Sequence, residues 1–324
     1  MKACIYGAGA IGGWIGSGLA RAGCRVSLVA RGATLAALQQ HGLRLSRGGN
    51  TMAHPVICSA APAELGVQDV VVLSVKAPSL TDVARQIAPL IGPDTVVLSA
   101  MNGVPWWFLQ SFGGAFEGRQ LTSVDPDGTL AKSINVGHII GCVVHASCSI
   151  TEPGWVCHQF GNKLIVGEPS GEHTDRLQIL SVLLHQAGFD VEVSPQIQRD
   201  IWFKLWGNMT VNPISALTGA STDLILQDDL VRGFMSSVML EAKEIGARIG
   251  IVIDQQPEDR HAVTRKLGAF KTSMLQDVEA GKLVELDALV SAVKELAELT
   301  GVSTPFTDVL LGLARLQAEI KGLY

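Results

Sequence analysis

The chain has 324 residues, of which 47% are hydrophobic and 17% charged, and its formal net charge is −5. This length exceeds a typical single core, and this composition is typical of a folded protein, so we expect two globular domains. The negative net charge and the lack of a long basic run disfavour a nucleic acid or an anionic membrane as a partner.

The stretch 3–20 carries no charged residue, as a membrane span or a signal peptide would. Its six glycines, however, are spaced as in a phosphate-binding turn between a strand and a helix. We therefore expect no membrane partner. The six cysteines form no CxxC pair, so we expect reduced thiols, a cytoplasmic location and no metal site.

Strands and helices alternate over the first hundred residues. Strands are predicted at 2–6, 25–30, 67–75 and 95–100, helices at 11–22, 34–41 and 79–91, and a polar hairpin around 47–51. The continuous valine-rich run at 67–75 is typical of a parallel strand that is covered on both faces. The alternation predicts a parallel Rossmann-type sheet with right-handed crossovers.

The pattern changes after about residue 120. Short strands are predicted at 138–146, 154–159 and 163–167, with turn signals at Glu152-Pro153-Gly154 and Gly161-Asn162. A helix at 175–187 and a last strand at 190–193 complete an antiparallel extension of the sheet. Later residues show only helical periodicity, roughly at 197–218, 228–249, 257–279, 282–300 and 305–321. We predict an α/β fold with a cofactor-binding domain at 1–195 and an all-α substrate and dimerisation domain at 196–324.

The sequence Gly7-Ala8-Gly9-Ala10-Ile11-Gly12 is a GxGxxG motif between the first predicted strand and helix. In such motifs the first glycine permits a tight turn, the second admits a pyrophosphate, and the third lets helix and strand pack closely. The helix N-terminus adds free N–H groups and a partial positive charge. The motif predicts dinucleotide binding; the alternative is a glycine-rich turn without a ligand.

The end of the second strand indicates which dinucleotide binds. NAD enzymes usually carry an acidic residue there for the ribose 2′-hydroxyl. This strand instead ends Leu28-Val29-Ala30-Arg31, and an arginine pairs well with a 2′-phosphate. We therefore predict NADP (NADPH) as the cofactor; the alternative for Arg31 is a solvated surface arginine.

Polar residues also follow two other predicted strands. Lys76 follows the strand at 67–75, and Asn102 follows the strand at 95–100. Ligands of open α/β sheets bind outside the carboxyl ends of the strands. Each residue alone has an ordinary loop as its alternative, but together they fit a pyridine-nucleotide cleft.

Three polar residues recur within an apolar helical segment. Lys204, Asn208 and Asn212 lie at i, i+4 and i+8, which places them in a row along one helix face. A lysine among tryptophan, phenylalanine and leucine needs a polar partner. The alternative is a snorkelling lysine beside two surface or capping asparagines.

A second polar group stands near the other end of the chain. Ser273 begins a Ser-Met-Leu-Gln-Asp segment, and Glu285 lies in an otherwise apolar stretch twelve residues later. Ser273 taken alone is as consistent with a helix cap or the surface as with a ligand.

With these motifs the chain resembles the ketopantoate reductase (2-dehydropantoate 2-reductase) family over nearly its whole length. The shared features are the N-terminal GAGAIG, the Asn-Gly after the fourth strand, the K-x3-N-x3-N-P helix, and S-M-x-x-D followed by a glutamate. The resemblance implies NADPH-dependent reduction of a 2-oxo acid to a 2-hydroxy acid, as in the pantothenate pathway.

The resemblance also implies the roles of the residues. Lys204 would act as the general acid that protonates the developing alkoxide, and Glu285 would hold a substrate hydroxyl. The chemistry is consistent, because hydride addition creates negative charge on oxygen that a positioned proton donor stabilises. The other motif residues would bind substrate or cofactor. Asn208, Asn212 and Ser273 would bind the substrate's polar groups, Lys76 and Asn102 would lie near the nicotinamide and ribose, and Asn102 would also contact the substrate.

Two features depart from the family pattern: Pro78-Ser79 after Lys76-Ala77, and the aromatic run Trp106-Trp107-Phe108 after Asn102-Gly103. The run either reshapes the pocket mouth or packs a helix start. Two other functions remain open, a β-hydroxyacid dehydrogenase and a non-catalytic NADPH-binding sensor. The apolar C-terminal helices are compatible with a homodimer.

Overall fold

The computed structural model describes residues 1–266 and 268–324, which form two compact units. The first unit comprises Met1–Met101, Gln110–Phe112 and Thr129–Ile197, and the second comprises Asn102–Leu109, Gly113–Gly128 and Gln198–Tyr324. The second unit thus includes two segments from the first half of the chain. A domain boundary near residue 195 stays a prediction.

The first unit is built on one ten-stranded sheet. Its strands are β1 (Lys2–Tyr6), β2 (Arg25–Val29), β3 (Leu43–Arg47), β4 (Asn50–His54), β5 (Ile57–Ser59), β6 (Val70–Leu73), β7 (Val96–Ser99), β8 (Ile139–Glu152), β9 (Trp155–Gly167) and β10 (Asp190–Val193). The order is β4-β3-β9-β8-β7-β6-β1-β2-β5, with β10 beside β9. The hairpins β3–β4 and β8–β9 are antiparallel and the other pairs parallel. The predicted Rossmann-type sheet with an antiparallel extension is confirmed; β5 was not predicted.

The helices of the first unit are α1 (Ala10–Arg21), α2 (Gly32–His41), α3 (Leu80–Gln86), α4 (Thr129–Ser133) and α5 (Asp175–Gln186). The prediction of one helix over 79–91 is wrong in its length. The 3-10 turns Ala77–Ser79 and Ala88–Leu90 flank α3, and each contains a proline. Proline has no N–H to donate and clashes with the preceding helical turn, which limits α3 to seven residues.

The prediction of two short strands at 154–159 and 163–167 is also wrong, because β9 runs through both of them. Gly161-Asn162, predicted as a turn, lies within this strand, close to the irregular pairing of His145 and Ser147 with β9. Gly161 has a φ of +77°, and a Cβ atom there would lie 2.4 Å from the carbonyl oxygen of His145. The glycine therefore serves a β-bulge and not a chain reversal.

Helix α1 packs closely because it presents glycines where other helices carry side chains. A Cβ atom at Gly16 would lie 2.9 Å from Ile5 of β1 and 3.2 Å from Leu43 of β3. A Cβ atom at Gly13 would lie 2.6 Å from Val156 of β9. The helix thus contacts both the parallel strands and the antiparallel extension, which fixes the position of its N-terminus.

The second unit is helical in its described residues. Its helices are α6 (Ile197–Thr218), which begins at the last residue of the first unit, α7 (Thr222–Gln227), α8 (Asp229–Arg248), α9 (Pro257–Arg265), α10 (Ser273–Glu279), α11 (Ala292–Thr300) and α12 (Pro305–Ile320). Among the described residues, no helix combines the length and apolarity needed to cross a membrane.

Two predicted helices of this unit are wrong in extent. The helix predicted at 257–279 is interrupted between α9 and α10, where Gly268 has a φ of +63° and Thr272 caps α10 by accepting a hydrogen bond from the Leu275 amide. The helix predicted at 282–300 begins later, with a π-helical turn over Asp287–Ser291 that leads into α11. Leu267 lies outside the described residues.

The packing of α1 predicts opposite effects for the same substitution at two helical glycines. We expect Gly16→Ala to lower the free energy of unfolding by about 1–3 kcal/mol, because the new methyl group overpacks Ile5 and Leu43. Gly233 of α8 is exposed, and no atom lies within 4 Å of a Cβ at that position. We expect Gly233→Ala to raise the free energy of unfolding by up to about 1 kcal/mol through helix propensity.

Urea denaturation of the two variants and the wild type measures both changes. If Gly16→Ala were as stable as the wild type, the glycines of α1 would not be required by close packing.

Candidate active site

The GxGxxG motif forms a tight turn between β1 and α1. Gly7 has a φ of +106°, and a Cβ atom there would lie 2.8 Å from the Val75 nitrogen. A Cβ atom at Gly12 would lie 2.2 Å from the Gly7 carbonyl oxygen. Both positions therefore require glycine, one for backbone conformation and the other for close packing.

The second glycine of the motif leaves room for a ligand. No atom lies within 4 Å of a Cβ at Gly9, which is exposed and precedes α1. Helix α1 has no side-chain cap at Gly9 and no acidic residue in its first turn. Ala8, Ala10 and Ile11 are partly exposed around this turn. The open turn and the uncapped helix N-terminus fit the pyrophosphate of a dinucleotide.

Arg31 lies at the carboxyl end of β2, as predicted, and its guanidinium forms an ion pair with Asp82 of α3. The distance from Arg31 Nη1 to Asp82 Oδ2 is 3.6 Å, and the two side chains are 66% and 49% exposed. Burial raises the pKa of the Tyr6 phenol, and the nearby charge of Arg31 partly opposes this increase. Arg31, Asp82 and Tyr6 thus form one electrostatic group beside the glycine turn. Sequence reasoning missed Asp82, because no motif marks it.

Lys76 is half-buried and directly precedes the 3-10 turn Ala77–Ser79 at the carboxyl end of β6. Pro78 and Ser79, the departure from the family pattern, form this turn together with Ala77. The turn leads into α3 and therefore also sets the position of Asp82. The structure places Lys76, Arg31 and the glycine turn in the first unit.

In the second unit Lys204 and Asn102 are in direct contact. The Lys204 ammonium group donates a hydrogen bond of 2.7 Å to the side-chain oxygen of Asn102. Lys204 is half-buried on α6, and Asn102 lies in the segment Asn102–Leu109 of the same unit. Sequence reasoning selected both residues, Lys204 as the general acid and Asn102 for substrate and cofactor binding, but did not predict this contact.

Two buried tryptophans set the rotation of α6 about its axis. The indole N–H of Trp202 donates to the carbonyl of Ala242, and that of Trp206 donates to the carbonyl of Met239. Both acceptors lie on α8, so α6 is held by hydrogen bonds as well as by packing. Lys204 lies between the two tryptophans in sequence and is thereby directed away from α8.

The other two members of the row differ in burial. The side chain of Asn208 is half-buried, whereas that of Asn212 is only 5% exposed and is therefore buried in the interior of the second unit. The pattern is not that of a snorkelling lysine beside surface asparagines, which would expose all three polar groups.

Ser273 and Glu285 occupy different environments. Ser273 is exposed at the first residue of α10, and Thr272 instead provides the cap. Glu285 is half-buried in the irregular stretch before the π-helical turn. The structure thus brings Lys204 and Asn102 together and leaves Ser273 on the surface.

The aromatic run Trp106-Trp107-Phe108 lies in the core of the second unit. All three side chains are at most 2% exposed. Phe108 contacts Trp202 with a ring-centroid distance of 6.0 Å. The run therefore packs the segment that carries Asn102 against α6, and it does not present aromatic rings to a pocket mouth.

The chain matches models of one protein family over most of its length. The model described as ketopantoate reductase PanE/ApbA matches residues 3–171, and that of its C-terminal region matches residues 196–318. A 2-dehydropantoate 2-reductase of Mesorhizobium japonicum is 44% identical, with both chains covered completely.

Solved structures show the same similarity. A candidate ketopantoate reductase of Ralstonia solanacearum MolK2 has a TM-score of 0.95 at 54% identity, with 99% of each chain covered. A 2-dehydropantoate 2-reductase of Geobacter metallireducens has a TM-score of 0.85 at 26% identity, with 98% of this chain and 100% of that chain covered.

Arg31 is the residue predicted to bind the 2′-phosphate, and its ion pair with Asp82 would then weaken that binding. We expect Asp82→Asn to lower the Kd for NADPH by about three- to fivefold, because an exposed ion pair contributes less than about 1 kcal/mol. The Kd for NADH, which has no 2′-phosphate, should be unchanged. Fluorescence titration of both nucleotides measures the two constants.

Asp94→Asn provides the matched control, since Asp94 is an exposed carboxylate that precedes β7, at the amino end of that strand. An equal change for NADPH and NADH, or the same change in Asp94→Asn, would contradict a specific effect of Asp82 on Arg31.

Proposed function

The chain belongs to the ketopantoate reductase family, and we propose that it reduces 2-dehydropantoate to pantoate with NADPH, using Lys204 as the proton donor. The observation that carries this proposal is the hydrogen bond from the Lys204 ammonium to Asn102. It gives a half-buried cation on an apolar helix a defined orientation.

The cofactor residues of the proposal lie in residues 1–195. The turn Gly7–Gly12 would accept the pyrophosphate, Arg31 would pair with the 2′-phosphate, and Lys76 would contact the ribose. The open space at Gly9 and the uncapped N-terminus of α1 support the first assignment. The exposed guanidinium of Arg31 supports the second, because its ion pair with Asp82 is readily displaced.

The chemistry follows from the charge that develops on the substrate. When bound, NADPH supplies the hydride that reaches C2 of the 2-oxo acid. Lys204 donates a proton to the oxygen on C2 as it acquires negative charge, which gives the 2-hydroxy acid. Asn102 accepts a hydrogen bond from Lys204 without cancelling its charge, and so orients the ammonium group before the reaction.

The substrate residues of the proposal lie in residues 196–324, with Asn102 added. Glu285 would accept a hydrogen bond from the substrate hydroxyl. Asn208 and Asn212, which continue the row from Lys204 along α6, would hold the substrate's other polar groups. Ser273 would bind the substrate's carboxylate, and this assignment is supported by the exposure of the Ser273 side chain to solvent.

The test follows NADPH oxidation with 2-dehydropantoate for the wild type and for Lys204→Ala. We expect efficient turnover by the wild type and a loss of about 10²- to 10⁴-fold in kcat for the variant, as for removal of a general acid. The Kd for NADPH should be retained. Lys243→Ala, on α8, is the control for loss of a lysine, since the Lys243 ammonium group donates a hydrogen bond to the Gln255 carbonyl, away from Asn102.

Different outcomes reject different parts of the proposal. Wild-type turnover of another 2-oxo acid, but not of 2-dehydropantoate, would reject the substrate and retain the reaction. Full activity of Lys204→Ala would reject its role as the acid.

We further propose that two copies of the chain associate through α12. Its exposed apolar residues follow the 3-4 spacing of a coiled-coil seam, and their exposed fractions range from 44% to 78%: Phe306, Val309, Leu313, Leu316 and Ile320. The opposite face of α12 packs into the second unit. A continuous apolar seam of this kind marks an interaction site, and a seam with heptad spacing is complementary to a copy of itself about a twofold axis.

The homodimer predicts that a charge in the seam produces monomers. We expect Leu313→Lys to halve the mass measured by light scattering after size exclusion, because the lysine would be buried opposite its own copy. Leu224→Lys is the control, since Leu224 lies on α7 and is 56% exposed, close to the 55% of Leu313. A monomeric wild type, or a dimeric Leu313→Lys variant, would contradict this assembly.

We also propose a cytoplasmic location. All six cysteines lie among the described residues, and none of them forms a disulfide there; burial raises the pKa of the Cys4 and Cys148 thiols to about 12. This number of cysteines without a disulfide is typical of a reducing compartment.

A further inference from the structure

The π-helical turn Asp287–Ser291 begins two residues after Glu285 and leads into α11. A π-helical turn holds one residue more than an α-helical turn, which costs stability, and such turns are frequent at functional sites. This turn is held in place by contacts on two sides.

The first side is the segment that follows α12. The Tyr324 hydroxyl donates a hydrogen bond of 2.6 Å to Asp287 Oδ1, and the Ser291 hydroxyl donates to the same oxygen at 2.9 Å. The backbone N–H of Val284 donates to the Leu323 carbonyl at 3.0 Å. Glu285 lies between Val284 and Asp287, so both of its flanks are tied to Leu323 and Tyr324.

The second side is the segment that carries Asn102. The backbone N–H of Val104 donates a hydrogen bond of 2.8 Å to the carbonyl of Ala288, in the middle of the π-helical turn. A Cβ atom at Gly103 would lie 2.5 Å from the same carbonyl oxygen. Gly103 has a φ of +80°. The π-helical turn therefore fixes the position of the backbone at Gly103 and Val104. These residues follow Asn102, which accepts the hydrogen bond from Lys204.

These contacts form one connected path within the second unit. It runs from Tyr324 to Asp287, through the π-helical turn to Ala288, and from there to the segment with Asn102. Asn102 at the end of this path, and Glu285 next to it in the chain, were assigned to the site from the sequence.

We propose that Tyr324 is a positioning residue for catalysis: through Asp287 it holds the π-helical turn in the conformation that places Glu285 and Asn102. This inference rests on the proposed function of those residues. Tyr324 touches none of the reacting atoms and acts through the carboxylate of Asp287. Loss of its hydroxyl should therefore alter the geometry of the site more than the stability of the fold.

The chemistry of the pair keeps the Tyr324 hydroxyl a hydrogen-bond donor to Asp287. A hydroxyl that donates to an ionised carboxylate forms one of the stronger hydrogen bonds in proteins. Burial and the neighbouring Asp287 raise the pKa of the Tyr324 phenol to about 12. The phenol thus stays a donor throughout the neutral pH range.

The test compares Tyr324→Phe with the wild type in NADPH-dependent reduction of 2-dehydropantoate or, if the wild type prefers it, another 2-oxo acid. Phenylalanine keeps the ring and removes only the donor. We expect kcat/KM to fall about tenfold, in line with the cost of small misplacements in an active site. The Kd for NADPH should be unchanged. Ser291→Ala, which removes the second donor to Asp287, should lower kcat/KM in the same direction by a smaller factor.

Gln317→Met is the matched control. Gln317 lies on α12, and its side-chain amide donates a hydrogen bond of 2.9 Å to the Ala216 carbonyl. The substitution therefore removes a hydrogen bond from the same part of the chain as Tyr324, but one that does not involve the π-helical turn. We expect this control to retain the wild-type kcat/KM, even if its unfolding temperature falls.

A double-mutant cycle with Glu285→Gln separates positioning from general stability. If Tyr324 acts through Glu285, the losses of kcat/KM in the two single variants are not additive in the double variant. Additive losses, or wild-type kcat/KM in both Tyr324→Phe and Ser291→Ala, would overturn the inference. A wild type that reduces no 2-oxo acid would instead reject the proposed function, and with it this role of Tyr324.

Discussion

The close approach of α1 to the sheet is the constraint on which the first unit depends. At Gly12, Gly13 and Gly16 a single added carbon would lie within 3 Å of a neighbouring atom. The helix is therefore held at a distance that only glycine permits, and its N-terminus ends beside the turn that begins at Gly7. A phosphate site made of backbone N–H groups needs this accuracy, because backbone groups cannot adjust their reach as a lysine side chain can. In the proposed function, helix packing and phosphate binding thus both require glycine in this part of the chain.

The second unit meets a different constraint, that of a cation on an apolar helix. The indole N–H groups of Trp202 and Trp206 donate hydrogen bonds to carbonyls of α8 and so fix the orientation of α6. The Lys204 ammonium group then donates a hydrogen bond to the neutral side chain of Asn102. An amide suits this task better than a carboxylate would. It satisfies a donor and sets its direction, yet the positive charge stays available to an oxygen that becomes negative. The family membership favours this catalytic interpretation over a dehydrogenase of another class or a non-catalytic sensor.

The sequence predicted those features that depend on residues close to one another in the chain. The alternating strands and helices, the glycine turn and the row that begins at Lys204 all have a local period, and local periods are visible in a sequence. The bulge at Gly161 was predicted as a turn, because a glycine with positive φ serves either purpose. The π-helical turn was predicted as ordinary helix. Its stabilising contact joins Asp287 to Tyr324, which is 37 residues away, and no local pattern reports such a pair.

Asp82 and Asp287, the two carboxylates that sequence reasoning missed, hold functional groups in opposite ways. Asp82 pairs with Arg31 at 3.6 Å, and both side chains are at least 49% exposed. Such a pair is weak, so a ligand of higher charge would displace it in the proposed function. Asp287 accepts hydrogen bonds of 2.6 Å and 2.9 Å from two hydroxyls of the same unit. In the proposed function, Arg31 has to be released to its ligand, whereas the turn next to Glu285 has to keep its position, and the two kinds of contact suit these two roles.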